Sequence, residues 1–408
     1  MNIKSIILSL LAIGMGMEAE AKVGLTVTNN TKAQRHEIVE FDAKQIWQKL
    51  GIEEGCQLIV RNPYGLQVPS QLSHDGKLLV EVSVLPGGTA KLGVEPGIPD
   101  KVKRFVDGQL YAWRVDDFTW ENDKCSYRAY GPALQRTGEQ AFGFDVWLKS
   151  TPDLDVEKRY NYVLEGNELV DQLRKLGRKE EANYEGRAHS LHLDHGTGLD
   201  CYNVGPSLGC GTPAIMASSD SLVMPWAYKE FKVLDNGPLR FAVQFDYPEV
   251  TVGKQKVTEH RLVTLDKGSY FNHIDVWYDG LQKPTDVAGG FVVHTEDASD
   301  IEVAKDHIVY SDPTDSPERH QFQIYVGVLF PDGADKTMVV KDRWHKKQGI
   351  VGNAVGVKRG LKAGEKFGYW FGASWCEAGT PNFDYWKLQA RTFIDNCRQP
   401  LQTAVVEK

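Results

Sequence analysis

The segment from Arg187 to Gly211 concentrates the groups that could do chemistry. It reads Arg187-Ala-His189-Ser-Leu-His192-Leu-Asp194-His195-Gly-Thr-Gly-Leu-Asp200-Cys-Tyr202 and runs on to Gly211. Three of the chain's 11 histidines fall within seven positions here. If the first part is a strand, Leu191 and Leu193 point to the core and His192 and Asp194 share the opposite face, because strand side chains alternate. His195 then lies at the strand end beside a glycine turn. Glycines at 196, 198, 205, 209 and 211 permit tight turns close to a ligand. Imidazole and carboxylate at this range form an acid–base pair or bind a divalent metal ion. His192, Asp194, His195 and Tyr202 are the candidate catalytic residues, and His192 with Asp194 the candidate metal ligands. No third or fourth ligand can be named. The plainer alternative is a polar strand end whose histidines satisfy loop carbonyls.

A second group of candidates suits sugar recognition. Sugars offer flat C–H faces to aromatic rings and hydroxyl edges to Asp, Asn, His and Arg. Asp145, Trp147 and Lys149 share one face of a strand whose other face is Phe142, Phe144, Val146 and Leu148. His273 and Trp277 lie with Asp275 on the polar face of another, and His294 with Glu296 on a third. Asp200 joins this binding set. Arg114, Arg128 and Tyr130 lie on strand-like runs, where an arginine fork could clamp a uronate carboxylate. The competing reading is that such rings fill a second core and such arginines sit in surface ion pairs.

The elements that must position these groups are strands. Leu239, Phe241, Val243, Phe245 and Tyr247 alternate with Arg240, Ala242, Gln244 and Asp246, and Tyr270 to Tyr278 repeats the pattern. Long strands with one apolar and one polar-aromatic face predict an antiparallel sandwich with a solvated concave sheet. The fold class expected is all-β with few helices: a small N-terminal β-sandwich over residues 22–100, then a large antiparallel β supersandwich over 101–408. Helices are expected at Ala43 to Leu50, capped by Asp42, and at Asp384 to Cys397, where Trp386, Ala390, Phe393 and Cys397 recur at helical spacing. Residues 1–21 read as a signal peptide: Lys4, an apolar run from Ile6 to Met15, and Ala19-Glu20-Ala21. The expected location is the periplasm, with no membrane span after the signal is removed.

Composition narrows the function. The 408 residues carry a net charge of −8, which argues against nucleic-acid partners. It admits anionic polysaccharides only where positive charge is gathered locally. No P-loop, dinucleotide fingerprint, nucleophile elbow or HExxH motif is present, so no nucleotide cofactor is expected. Six cysteines lack zinc-ribbon spacing. Cys201 with Cys210 or Cys376 with Cys397 could pair in an oxidising compartment, and isolated buried thiols are the alternative. The run from Asp312 to Arg319 reads as a solvated loop.

Three runs together carry a resemblance: Glu121 to Pro132, Phe144 to Lys149 and Asp194 to Pro206. They resemble the family described as domain of unknown function 4861, over nearly all of the mature chain. The resemblance implies an exported bacterial protein encoded among glycan-degradation genes, often those for pectin and other uronate polymers. Asn236 to Arg240 and Arg261 to Ser269 are similar to strands of the galactose-mutarotase-type supersandwich. The mutarotase His/Glu pair has no residue-by-residue counterpart. These readings converge on a carbohydrate-active enzyme that processes uronate-containing oligosaccharides or polysaccharides, by lyase or hydrolase chemistry. A sugar mutarotase or epimerase and a non-catalytic glycan-binding protein are the alternatives.

Overall fold

The computed structural model describes residues 23–313 and 323–407. The signal-peptide reading, and most of the run after Asp312, lie outside the described residues.

Alternation at period two builds the large sheets. In Phe271–Asp279, Ile274, Val276 and Tyr278 are buried on one side and His273, Asp275 and Trp277 face the other. In Arg240–Asp246, Phe241, Val243 and Phe245 turn inward. These strands belong to a nine-stranded antiparallel sheet. A five-stranded sheet of Ser221–Val223, Cys210–Ser218, Thr285–Val293, Gly352–Leu361 and Lys336–Lys341 adds Ile215, Val287 and Phe291 to the same core. A four-stranded sheet of Asp107–Tyr111, Asp117–Glu121, Cys125–Ala129 and Asp145–Leu148 also closes on it. The rings of Phe144 and Tyr127 meet Phe371 at 5.6 and 5.8 Å. The fold is all-β in character, with strands in 45% of the chain and helices in 18%.

At the N-terminus, sheets of five and three strands enclose Leu25, Val27, Phe41, Val60 and Val80. Helix α1 (Ala43–Leu50) has the expected cap, with Asp42 Oδ1 accepting from Lys44 N at 2.9 Å. The last strand, Gln402–Glu407, pairs with Val23–Thr28 from Val23↔Glu407 to Thr28↔Gln402. The expectation placed it with the large supersandwich; it belongs to the small sheet instead.

Helices are more prominent than expected between residues 130 and 190. Besides α2 (Pro132–Thr137), α3 (Val156–Lys175) and α4 (Lys179–Ala188) form a hairpin; the start of α3 packs Val156 and Tyr160 against Trp147 and Tyr111 on the outer face of the four-stranded sheet, and α4 packs on the far end of α3. The start of α3 is held from far away: Glu121 accepts from Asp155 N at 2.9 Å and Val156 N at 3.0 Å. Such a cap leaves no local trace, although Val156, Tyr160, Val170 and Leu173 do recur at helical spacing. Helix α4 overturns the strand expected through Arg187 to Leu193: the helix ends at Ala188 and a loop follows. The fifth helix, α5 (Phe383–Arg398), forms where its periodicity predicted; it buries Trp386 and Ala390 as expected on the outer face of the nine-stranded sheet, with Ile394 in place of Phe393 and Cys397, which are only partly buried.

Candidate active site

On the four-stranded sheet, alternation sends Phe118, Trp120, Tyr127 and Val146 into the core and Asp117, Glu121, Arg128, Asp145, Trp147 and Lys149 to the other face. That second face is buried beneath α3 rather than solvated. Its ionic groups form two sets. Lys149 pairs with Glu121 and donates to Asn122 O at 2.8 Å and Asp153 O at 2.7 Å. With Glu121 capping α3, this set anchors the helix; Lys149 is structural, not a binding residue.

The second set centres on Arg128. Its Nη2 binds Asp145, and reaches Asp200 Oδ2 and Tyr130 Oη at 3.2 Å each; Nη1 lies 3.4 Å from Asp117 Oδ2. Tyr130 donates to Asp145 Oδ2 at 3.2 Å and Trp147 Nε1 to the same oxygen at 3.3 Å. Tyr160 donates to Asp117 at 2.8 Å. The guanidinium lies 4.8 Å from the Tyr130 ring and 5.1 Å from that of Trp147. Three buried carboxylates thus face one guanidinium, an arrangement that is stable only with good geometry and added hydrogen bonds. Burial opposes the charge on Arg128, but Tyr130 and the three carboxylates outweigh it and hold the guanidinium protonated. Burial pushes the Asp117 carboxyl up despite Arg128, and pushes the Tyr130 and Tyr160 phenols well above their ordinary value. Tyr130 therefore stays a proton donor. The Arg128 fork is spent on the protein's own carboxylates, which corrects its expected role as a uronate clamp.

Beside this cluster, the chain turns from Tyr111 to Asp117 through a strained hairpin. Val115 and Asp116 have φ of 50° and 63°, a region that non-glycine residues avoid at a cost of about 1–3 kcal/mol each. The turn is pinned from outside: Leu134 N donates to Val115 O at 3.2 Å, Ala133 N to Asp116 Oδ2 at 3.1 Å and Tyr228 Oη to Asp116 O at 2.6 Å. Gly131 lies so close that a Cβ there would stand 2.1 Å from Asp116 O. The turn presents Trp113, 47% exposed, with its ring 5.6 Å from Tyr160. Arg114 sits next to it, near enough to favour the ionised form of Asp117. Its buried Nε has no hydrogen-bond partner among the described residues.

On the flank, Tyr202 is buried and donates to Gly209 O at 3.0 Å. Its ring is 6.0 Å from that of His294, whose Nδ1 lies 2.7 Å from Asp312 Oδ2. Gly209 in turn bridges to Phe144, the residue before Asp145, so Tyr202 lies between the strand that carries Asp145 and the His294–Asp312 pair. Burial pushes the Asp312 carboxyl up while His294 draws it down. The expectation of a solvated loop beginning at Asp312 is corrected: Asp312 is fully buried on the strand His307–Pro313.

The remaining candidates lie elsewhere. His192 Nδ1 bonds Asp200 O at 2.6 Å, Asp194 Oδ1 accepts from Gly196 N and Gly198 N at 2.8 and 2.9 Å, and His195 Nε2 bonds Ser190 O at 2.9 Å. The common face expected for His192 and Asp194 does not form, and these groups serve their own loop. Among the described residues no three or more His, Cys, Asp or Glu side chains are placed to hold a metal ion. Glu296 is exposed, beyond the end of its strand. His273 and Trp277 lie on the outer face of the nine-stranded sheet, across the core from Arg128. His273 lines a groove of about 990 Å³ between that sheet, the N-terminal sandwich and α5. Burial lowers its pKa and so keeps it neutral. Trp277 stacks on His260 at 5.3 Å. Two of the groove's cations pair across the junction, Arg240 with Glu40 and Lys267 with Glu81, while Arg35 pairs with Glu37 and Lys366 with Asp275 on their own sides, which fits a domain contact. Cys210, Cys376 and Cys397 are free thiols, so neither disulfide considered above forms.

Asp117, Tyr160 and Asp312 were missed by sequence reasoning. Asp117 stands four residues before Glu121 on an alternating run, a pattern that could have flagged it. No local signal marks the other two.

The fold and this cluster define an all-β protein of packed antiparallel sheets with a buried carboxylate–arginine–tyrosine cluster. A protein in the glycosyl hydrolase family 38 from Enterococcus faecalis aligns with a TM-score of 0.51 at 9% identity, over 94% of this chain and 47% of that one; the likeness is one of fold. An alpha-mannosidase from the same organism aligns at 0.48 and 9%, over 94% and 46%. The chain belongs to the family described as Domain of unknown function (DUF4861), whose model matches residues 27–405. An uncharacterized protein, P7, of Formosa agariphila is 27% identical over 191 residues, 44% of this chain and 43% of that protein, so the match spans under half the length of the relative. No helix among the described residues is long and apolar enough to cross a membrane.

Proposed function

We propose that this chain is an exported, periplasmic enzyme that cleaves uronate-containing glycan fragments at the Arg128 cluster. One observation carries the reading. The three separated runs Glu121 to Pro132, Phe144 to Lys149 and Asp194 to Pro206 bring Arg128, Tyr130, Asp145, Trp147 and Asp200 into one cluster, with Tyr202 on its flank, beside a strained turn that exposes Trp113 next to Arg114. The fold shared with a family 38 glycosyl hydrolase supports sugar processing in general.

In this reading the sugar stacks on Trp113 and its carboxylate meets Arg114. Neutralising that carboxylate acidifies the adjacent C–H bond. His294, paired with Asp312 on the flank of the cluster, is assigned as the base that takes that proton. The electron pair forms a C=C bond as the neighbouring C–O bond breaks, and protonated Tyr130 gives its proton to the leaving oxygen. The products are an unsaturated uronate and a new hydroxyl end.

The test is digestion of polygalacturonate, glucuronan and glycosaminoglycan oligomers, followed by ultraviolet absorbance of the unsaturated product and by reducing-end assay. Rising absorbance that is lost in Arg114→Ala supports the reading. New reducing ends without absorbance would replace elimination by hydrolysis, in which two carboxyl groups flank the bond. No turnover of any polymer refutes the enzyme reading and favours a glycan-binding role.

A further inference from the structure

The chain is acidic overall, yet one loop gathers positive charge. Between the strand Lys336–Lys341 and the short 3-10 turn Lys346–Gln348, the sequence runs Lys341-Asp-Arg343-Trp344-His-Lys346-Lys347. All four cations are exposed, and none lies within ion-pair distance of a carboxylate among the described residues. Trp344 is 86% exposed, which leaves a large apolar ring in water.

The loop is built, not loose. Asp342 Oδ1 accepts from Trp344 N at 2.7 Å and His345 N at 2.8 Å, and its Oδ2 meets His345 Nδ1 at 2.8 Å. The one carboxylate in the run is thus turned inward to hold the backbone, and the indole and the cations are turned out.

The base of the loop rests on the flank of the Arg128 site. Gln348 O accepts from Asn203 Nδ2 at 2.9 Å, one residue from Tyr202. Val351 N donates to Val293 O at 2.9 Å, one residue from His294. Asn353 Oδ1 accepts from Leu208 N at 2.9 Å. Trp344 is four residues from Gln348, so it lies at most about 14 Å from that anchor along the chain.

We infer that the Lys341–Lys347 loop is an outer subsite for a polyanionic glycan, gripping the stretch of chain that extends beyond the Arg128 site. This rests on the reading of that site as one for uronate-bearing sugars. An isolated exposed indole stacks on the apolar face of one sugar ring, and flanking cations answer carboxylates that recur along the polymer. A nucleic acid fits less well, because it needs a broad basic surface and the chain as a whole carries −8. The subsite would act on long chains and leave short ones untouched.

The experiment compares wild type, Trp344→Ala and Lys346→Ala/Lys347→Ala in binding and turnover of a long polygalacturonate and of trigalacturonate, across a salt series. Both variants should weaken binding of the polymer about tenfold and leave trigalacturonate turnover unchanged. The double lysine variant should also flatten the salt dependence, since exposed charges are screened by salt. Unchanged polymer affinity in both variants overturns the subsite while the Arg114-dependent turnover of trigalacturonate stands. Polymer binding that needs Trp344 with turnover that ignores Arg114 overturns the site reading and keeps the subsite. Tighter binding of single-stranded DNA than of polygalacturonate overturns the choice of ligand.

Discussion

The loop from His189 to Asp200 and the turn from Tyr111 to Asp117 make opposite cases. The loop is rich in imidazole and carboxylate, yet its groups are consumed at short range. His192, Asp194 and His195 bond atoms two to eight residues away. The turn has one indole and one guanidinium, but it is strained and is held by Gly131, Ala133, Leu134 and Tyr228. Strain maintained by distant residues persists only where the surroundings over-determine it. Local satisfaction, by contrast, takes chemically able groups out of use. Abundance of reactive side chains is therefore a poorer guide than what those side chains are bonded to.

The comparison can be broken by substitution. Tyr130→Phe keeps the ring beside Arg128 and removes the proton; turnover should fall on the order of a hundredfold or more, with the melting temperature little changed. A variant with full activity would remove Tyr130 from the chemistry. Gly131→Ala touches no substrate, but its Cβ would collide with the carbonyl of Asp116, so it should displace Trp113 and Arg114 and weaken substrate binding as strongly as Arg114→Ala does. Equal KM in Gly131→Ala and wild type would show that the strained turn is idle.

Asp117 gives a smaller effect, with a defined sign. Its carboxyl is raised by burial in the folded state, so the folded protein holds that proton more tightly than the unfolded chain. The stability it contributes is full below the ordinary value of 3.8 and is lost as pH rises through the raised one. Asp117→Asn should remove this component, seen as a shallower decline of the urea midpoint as pH rises from that value. An unchanged profile would reject the assignment. The smallest effect is expected from His192→Ala and His195→Ala, each within about twofold of wild-type turnover, with stability changes of about 1 kcal/mol from a lost loop hydrogen bond. A large loss of turnover in either would restore the loop as the active element.

Much of this was legible in the chain itself. The alternation around Phe241 and Ile274, the cap of α1, the side-chain spacing within α5, and the motifs holding Arg128, Asp145 and Asp200 depend on neighbours a few residues away. Strand period, helix period and capping are local physics, and the residues carry them wherever they are placed. What the tertiary structure decided is which face meets solvent and which group meets which. It buried Asp145 and Lys149 under a helix whose cap comes from Glu121. It occupied Arg128 with three carboxylates from three segments, oriented His294 with Asp312, and gave the final strand to the N-terminal sheet. Burial and ion pairing depend on atoms brought together from distant points of the chain, and no periodicity along the chain encodes such meetings.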